Sequence, residues 1–595
     1  MPRHRFVTVR RGNTLRLANN KAVTRHRTPK TRVSFIHAPD AFLAETQQYG
    51  AMFMPVWAYT LAAYVKNPEQ YELHLFDMRF DRLDDVSDSD IFVYSGVNQD
   101  YETLVATHAA IRQRYPQATH VIGGPITWSL NEAGEIAKLE MFDHVFIGDG
   151  EESFPAYLES CQTGRTTPKI VVTKERFEVS RARGFYRPFF DATFQRYYGG
   201  VLEVSRGCPF LCEFCDIRVL PDNNRAHNFT AAHIVSELDY MAKRGIRQVL
   251  CAADNFIGDL RWAEEVLDAI IAWQQKSGFP IALYTWLTIN LSKYPRLLRK
   301  MREANFDMLF IGVESFSNNS LLETAKVQNS TADMVTAIRE IQSYGFAIVA
   351  GLIFGFDSDT PETFDQTIEG MAQSGLISGD PSLLTALPGT PLFRRMKLSG
   401  RLRNNKNSLG GYKYCTNIRY LLSVEEITRG YQSFVEKFSD GSYQYQRLRG
   451  FLDNLDRGNY IPLQSNGYGS LARFMSMIFK SPRAAGMLGR RMWQIVGHPS
   501  VFWNTLKGLA LVLARSRRHP RLFGVFQFWL FNWTNAMLKY ARLTPADFDI
   551  ESVPKNFDRT LILPDEYSDA AEEIPAAKIA AQQRLTTAQL RRLIN

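Results

Sequence analysis

The stretch Ser205-Arg206-Gly207-Cys208-Pro209-Phe210-Leu211-Cys212-Glu213-Phe214-Cys215 decides the reading of this chain. It places three cysteines within eight positions, spaced Cys-x3-Cys-x2-Cys. They directly follow an apolar run at 201–204 that reads as a strand. Thiolates are the ordinary ligands of iron–sulfur clusters. At this spacing one short loop wraps three corners of a cubane and leaves the fourth iron open. A structural zinc site is the alternative. It asks for a fourth ligand and usually for paired Cys-x2-Cys units, and the nearest candidate, His227, stands at no zinc-like spacing. Cys161, Cys251 and Cys415 are scattered and read as ordinary buried thiols. Cysteine usage of this kind fits a reducing compartment.

Outward from the triplet, strand and helix signals alternate. Strands are expected at 201–204, 248–252, 282–286, 308–313, 348–353 and 382–385, with helices at 231–244, 261–276, 294–304, 331–344 and 361–374. Six such units make an incomplete (β/α)6 barrel of TIM type, over residues 195–400, with its working residues at the strand carboxyl ends. A separate alternation occupies 33–165. Its strands are expected at 33–37, 72–77, 91–95, 121–124 and 144–147, and its helices at 55–66 and 101–114. Parallel β-α-β units of this kind build a Rossmann-like, doubly wound α/β sheet. Residues 160–195 read as a basic linker. The strands are expected to stop near 420, giving way to a helical domain over 420–545 and a charged tail over 560–595.

The triplet, with Phe214 before its last cysteine, resembles the radical S-adenosylmethionine (SAM) superfamily. The resemblance continues at four strand ends. These are Ala253-Asp254-Asn255-Phe256; Gly312-Val313-Glu314-Ser315; the run from Gly351 through Ile353 to Gly355; and Leu387-Pro388-Gly389-Thr390-Pro391. It implies a 4Fe-4S cluster on Cys208, Cys212 and Cys215, whose open iron chelates the amino and carboxylate groups of SAM. Reductive cleavage of SAM then yields a 5′-deoxyadenosyl radical. It further implies Phe214, Gly351 and Ile353 beside adenine, Glu314 and Ser315 at the ribose, and Asp254 and Asn255 at the methionine end. The Gly-Gly-Glu form common in relatives is absent at Asp254. No general acid or base is assigned, because hydrogen abstraction by a radical needs none.

The front region resembles the cobalamin-binding domain that precedes the barrel in one large class of these enzymes. The matching pieces are Pro55, Asp77, Ser95-Gly96, Gly123-Gly124-Pro125 and Gly148-Asp149-Gly150-Glu151. Glycine-ended strands let a backbone approach a large planar or phosphate-bearing ligand, so a flavin, a nucleotide or no ligand would suit them as well. The Asp-x-His-x-x-Gly element that supplies a histidine to cobalt elsewhere is missing: Asp77-Met78-Arg79 has Arg where that His would stand. Within the class, residues 200–400 resemble a bacterial subgroup that includes hopanoid C-2 methylases.

The expected function is therefore cobalamin-dependent transfer of a methyl group to an unactivated carbon of a small or lipid-like substrate. Radical rearrangement or cyclisation without methylation is a second reading, and a non-enzymatic cobalamin or redox sensor a third. RNA methylthiolases carry a second cysteine triplet in the front domain, where this chain has only Cys161, so nucleic acid is not an expected partner. A reductant such as flavodoxin or ferredoxin is expected.

The net charge of +9 is uneven: residues 1–32 hold ten Lys or Arg and no acid, and without them the chain is nearly neutral. This stretch reads as a basic disordered tail with no apolar signal region. Residues 467–545 mix aromatic and basic side chains, which suits either a membrane interface or a helical cap over the barrel. The longest apolar run, 522–538, is short for a span and holds Gln527, Asn532, Thr534 and Asn535. A cytoplasmic protein with peripheral contact at the inner membrane is the expectation.

Overall fold

The computed structural model describes residues 30–39, 53–197, 199–220, 222–317, 319–320, 334–404, 409, 413–465, 482–540 and 543–562. The front sheet has six strands: β1 (Thr31–His37), β2 (Tyr71–Asp77), β3 (Ile91–Ser95), β4 (Thr119–Gly123), β5 (His144–Ile147) and β6 (Ile170–Val172), in the spatial order β2-β1-β3-β4-β5-β6. All pairings are parallel. Side-chain alternation divides the strands between two cores. Val33, Phe35, Val93, Val121 and Phe146 join a core continuous with the barrel, while Ile36, Phe92, Tyr94, Ile122 and Val145 join a second one under the Tyr101–Arg114 and Pro125–Glu132 helices. A sheet buried on both faces is what parallel β-α-β units require.

The second sheet has the order β13-β12-β11-β10-β9-β7-β8. Its six parallel strands are β7 (Gly200–Arg206), β9 (Gln248–Ala253), β10 (Ala282–Leu287), β11 (Phe306–Glu314), β12 (Ala347–Phe354) and β13 (Ser378–Leu383), and β8 (His227–Asn228) closes the β7 edge antiparallel. Helix starts follow sequence signals. Thr230 caps Ala231–Lys243, Asp259 caps Leu260–Ser277, and Thr390 with Pro391 at the first helical position starts Pro391–Leu398.

Four expectations are corrected. The segment read as a linker contains β6, paired to β5, and the Arg187–Thr193 helix, so the front sheet extends past 165. The last barrel strand lies earlier than expected, at Ser378–Leu383; its Gly379-Asp380-Pro381 reads as a turn, yet proline is tolerated on this edge strand. Strands do not stop at 420, because β14 (Cys415–Tyr420) pairs in parallel with β15 (Asp549–Ser552). Cys251 is buried, but Cys161 is exposed and Cys415 partly so.

The helices Gly441–Leu455, Pro499–Arg515 and Phe523–Tyr540 build a third core from Leu448, Phe451, Val512, Trp529 and Trp533, packed against Met308, Ala347 and Ile377. This cap therefore lies toward the amino-terminal ends of the barrel strands. Most of the 522–538 run is in the last of these helices, where Trp529 and Trp533 are fully buried and donate to Gln444 O and Ser439 O. No helix among the described residues is long and apolar enough to cross a membrane. Residues 1–29, 466–481 and 563–595, which include most of both expected tails and the Phe474–Lys480 part of the aromatic region, lie outside the described residues.

Candidate functional site

The cysteine loop leaves β7 through Gly207, whose φ of +86° and lack of a side chain are both needed, since a Cβ there would meet Arg225 O at 2.1 Å. Its N–H donates to Asp254 Oδ2 at 2.6 Å, and the Cys208 N–H donates to Asn223 O at 2.9 Å. Two ion networks, one part-buried and one buried, hold the loop. In the first, Arg206 donates to Glu203 at 2.8 and 2.9 Å and to Glu151 of the front domain at 2.6 Å. Asp149 lies 3.5 Å from the same guanidinium and accepts from Arg176, which also donates to Asn223 Oδ1 at 2.7 Å. In the second, Glu213, inside the loop, accepts two hydrogen bonds from Arg395 at 2.7 and 3.1 Å. Arg395 and Arg401 both bind Asp357 and hold its carboxyl well below the usual range against the opposing effect of burial.

The cysteines lie near enough to feel one another's charge. Burial, then the neighbouring Cys212 and Asp254, pushes Cys208 up to about 12, and burial, Asp216, Cys212 and Cys208 raise Cys215. Cys208 and Cys215 stay protonated until a cation offsets the charge, which is the donor chemistry of a metal-cluster site. Among the described residues no three His, Cys, Asp or Glu side chains group around a single metal ion. Three thiolates on one loop, with no fourth cysteine in it, are the donor set of a cluster with one open iron, whereas a structural zinc site asks for a fourth ligand.

The other barrel candidates lie at the same, carboxyl, end. Asp254 and Asn255 follow β9; burial pushes Asp254 up to about 6. Asn255 is buried with its side chain against the Cys208 thiol, and its Oδ1 accepts from Ile257 N at 3.3 Å. Glu314 ends β11 after a bulge, buried, with φ +64°. A non-glycine residue there is strained, and such strain gathers at functional sites. The neighbouring strand accommodates it: Gly312 pairs with Gly351, and a Cβ on Gly351 would stand 3.2 Å from Phe310 and 3.7 Å from Glu314 Oε2. Ser315 Oγ accepts from Ser317 N at 3.0 Å, and Ile353 lies on β12 opposite Ser382. The Phe214 ring tilts against Phe356, with centroids 6.3 Å apart.

The front-domain candidates divide. Ser95, Gly96, Gly123 and Gly124 come together at the ends of β3 and β4: a Cβ on Gly124 would meet Ser95 Oγ at 2.3 Å, and Ile126 N donates to Gly96 O at 3.1 Å. Gly148 closes on Thr173 O, and Glu151 is turned to Arg206. Arg79 is buried on Asp77, at 2.9 and 2.7 Å, and donates to Phe53 O at 2.6 Å.

Three sets of residues escaped the sequence reading. Arg206, although inside the quoted stretch, joins the two domains, and Glu213 with Arg395 holds the loop. Asn98, just beyond Ser95-Gly96, is fully buried with both amide atoms unpartnered. It sits by the point between β1 and β3 where chain order reverses, which is where ligands bind in open parallel sheets. A buried polar group without a partner fits a ligand-binding rim, and only the fold reveals it. His37 ends β1 and takes the Trp57 Nε1–H on Nδ1 at 3.2 Å. Burial and then Arg79 lower it to about 4, so at neutral pH the ring is neutral and carries its proton on Nε2.

These thiols, at the carboxyl end of a six-stranded parallel half-barrel, lie in a domain that matches a known class: residues 202–370 match the Radical SAM superfamily. Residues 390–523 match a domain of unknown function, DUF4070. Among curated proteins the chain is similar to the hopanoid C-2 methylase of Rhodopseudomonas palustris, 33% identical over 48% of this chain and 53% of that one. It is also similar to an uncharacterized methyltransferase of Synechocystis, 29% identical over 56% of this chain and 61% of the relative. The chain thus spans between half and two thirds of these relatives' length. Among solved structures it shares its fold with the cobalamin-dependent SAM radical enzyme OxsB, at 15% identity and a TM-score of 0.54 over 90% of this chain and 83% of that one. It also shares it with the radical SAM methyltransferase TsrM of Kitasatospora setae, at 16% identity and a TM-score of 0.51 over 64% and 80%.

Proposed function

We propose that this chain is a cobalamin-dependent radical SAM C-methyltransferase acting on a small or lipid-like substrate. The observation that carries the reading is the Cys208, Cys212, Cys215 loop, held by two ion networks, one of which reaches into the front domain. Those cysteines would hold a 4Fe-4S cluster, and the Ser95, Gly96, Gly123, Gly124 rim with Asn98 would hold cobalamin. When bound, the cluster and SAM supply a 5′-deoxyadenosyl radical, and methylcobalamin supplies the methyl group.

The chain's own residues bind and orient. Phe214, Gly351 and Ile353 form the adenine side. Glu314, with Ser315, accepts from ribose hydroxyls. Asp254 and Asn255 face the methionine end, beside Cys208. With Trp57 holding the His37 Nδ1 lone pair and Arg79 engaged by Asp77, neither side chain is set to ligate cobalt; electron paramagnetic resonance of the Co(II) form checks this by the absence of nitrogen superhyperfine splitting. The relatives named as methylases favour methyl transfer over rearrangement.

A flavodoxin or ferredoxin would supply the electron, in a cytoplasmic setting with peripheral contact at the inner membrane. The test is anaerobic reconstitution with cluster and cobalamin, followed by mass spectrometry of products from candidate lipids, a hopanoid first. A product heavier by one methyl supports the reading; SAM cleavage with an isomerised or cyclised product refutes it.

A further inference from the structure

From Arg457 to Ala546 the chain has no Asp or Glu, against thirteen Lys or Arg. Within that stretch the Pro499–Arg515 helix has two unlike faces. Val501, Asn504, Gly508 and Val512 are buried, with Gly508 close under Trp529 and Leu448. Trp503, Leu506, Lys507, Ala510 and Leu513 follow the same helical spacing on the other side and are exposed, Trp503 by 60% and Leu513 by 58%. The preceding helix, Pro482–Gly497, adds Met492, Trp493 and Val496, exposed by 49%, 75% and 60%. Arg490, Lys507, Arg517, Arg518 and Arg521 are exposed in the same segment.

We propose that the outer faces of these two helices dock the protein on a bilayer that carries anionic lipid. This rests on the peripheral contact proposed above and assigns it to a surface. Tryptophan and leucine on a helix pair whose own segment carries cations and no acid match a bilayer interface, where aromatic rings sit at headgroup depth and Lys or Arg meets lipid charge. An acidic protein partner would satisfy the cations but leave the apolar stripe unexplained. The surface is carried by helices that pack toward the amino-terminal ends of the barrel strands, away from the cysteine loop. Docking there would anchor the enzyme by the end of the barrel opposite the cysteine loop.

The test is co-sedimentation of the cluster-loaded full chain with vesicles of phosphatidylcholine alone, or with added phosphatidylglycerol, at low and high salt. Binding is expected only with the anionic lipid and should weaken with salt. The triple variant Lys507→Gln, Arg517→Gln, Arg518→Gln should partition about a hundredfold more weakly. Trp503→Ser with Leu513→Ser should remove the salt-resistant part of binding, together with most tryptophan quenching by brominated lipid. Both sets are exposed, and both variants should keep the cluster absorbance and SAM cleavage of the parent. Equal sedimentation with the two vesicles, or variants that bind like the parent, overturns the proposal. A parent that is dimeric by light scattering, becomes monomeric on Trp503→Ser with Leu513→Ser, and ignores vesicles reassigns the face to a second copy and also overturns it. Failure of the parent to cleave SAM refutes the radical SAM reading alone and leaves the vesicle result standing.

Discussion

In the barrel, Gly207 turns the cysteine loop out of β7 by giving room to Arg225 O, and Gly351, inside β12, stands against Phe310 with Glu314 Oε2 3.7 Å from where its Cβ would be. At the carboxyl ends of the front sheet, Gly124 and Gly148 give room to the protein itself, to Ser95 Oγ and Thr173 O. Glycine thus clears space for the protein's own atoms in both sheets, and what differs is the residues beside it. A strand-end glycine marks a ligand site only through the residues beside it. In the barrel those are the three cysteines and Glu314 in its left-handed backbone conformation. In the front domain the clearest one is Asn98.

The largest effect should come from the barrel side. Cys208→Ala, Cys212→Ala or Cys215→Ala should each abolish the visible absorbance of the cluster and all 5′-deoxyadenosine formation, since two thiolates leave a cubane underligated. Cys161→Ala, Cys251→Ala and Cys415→Ala should leave both intact. A triplet variant that keeps a full cluster signal would erase the contrast between the two rims.

Acid should separate the domains next. His37, His108 and His120 all lie in the front domain, and burial lowers them to about 4, 4 and 3. Their folded values are depressed, so the fold needs neutral rings. The unfolded chain takes up protons below about 6.5, and stability present above that pH is lost as pH falls toward 4, by about 3 kcal/mol for each ring. Hydrogen exchange at pH 5 should show residues 91–147 losing protection before 200–315. Equal loss in both would mean that the histidines do not set the acid limit.

Glu213→Gln should destabilise the barrel by about 3–5 kcal/mol, because it leaves the buried guanidinium of Arg395 short of charge. Replacing both, as Glu213→Leu with Arg395→Met, should cost less than the single change. Thermal denaturation of the apo-protein reads both; a single variant that melts like the parent would show that the network does not hold the loop.

Much of this was legible because period and punctuation agree along most of the chain. The barrel strands through β12, the helices between them and the cysteine loop all announce themselves by apolar runs and caps. The missed pieces are those whose local signal points elsewhere. Ile170–Val172 is a three-residue edge strand among polar and basic neighbours. Ser378–Leu383 contains Gly and Pro, which only an edge position permits. The pairing of Glu151 with Arg206, 55 residues apart, has no sequence period at all. Trp529 and Trp533 were legible as aromatic but not as inward-facing, because a basic aromatic helix reads alike at a membrane and in a core.

The smallest predicted effect bears most directly on the front rim. Asn98 is 1% exposed, and neither its Nδ2 nor its Oδ1 has a partner. Burying an amide without hydrogen bonds costs a fold about 1–3 kcal/mol. If a cofactor amide or phosphate supplies the partner, the apo-protein bears that cost and the loaded protein does not. Asn98→Leu should then raise the melting temperature of the apo-protein, by an amount worth about 1 kcal/mol, while weakening retention of cobalamin roughly tenfold. SAM cleavage should be unchanged, because the residue touches only the front rim. The opposite pair of results, a lower apo melting temperature with unaltered cobalamin retention, would mean that an ordered water satisfies the amide in the apo fold. Asn98 would then belong with Gly124 and Gly148 as packing, and the front rim would lose the unpartnered amide that sets it apart.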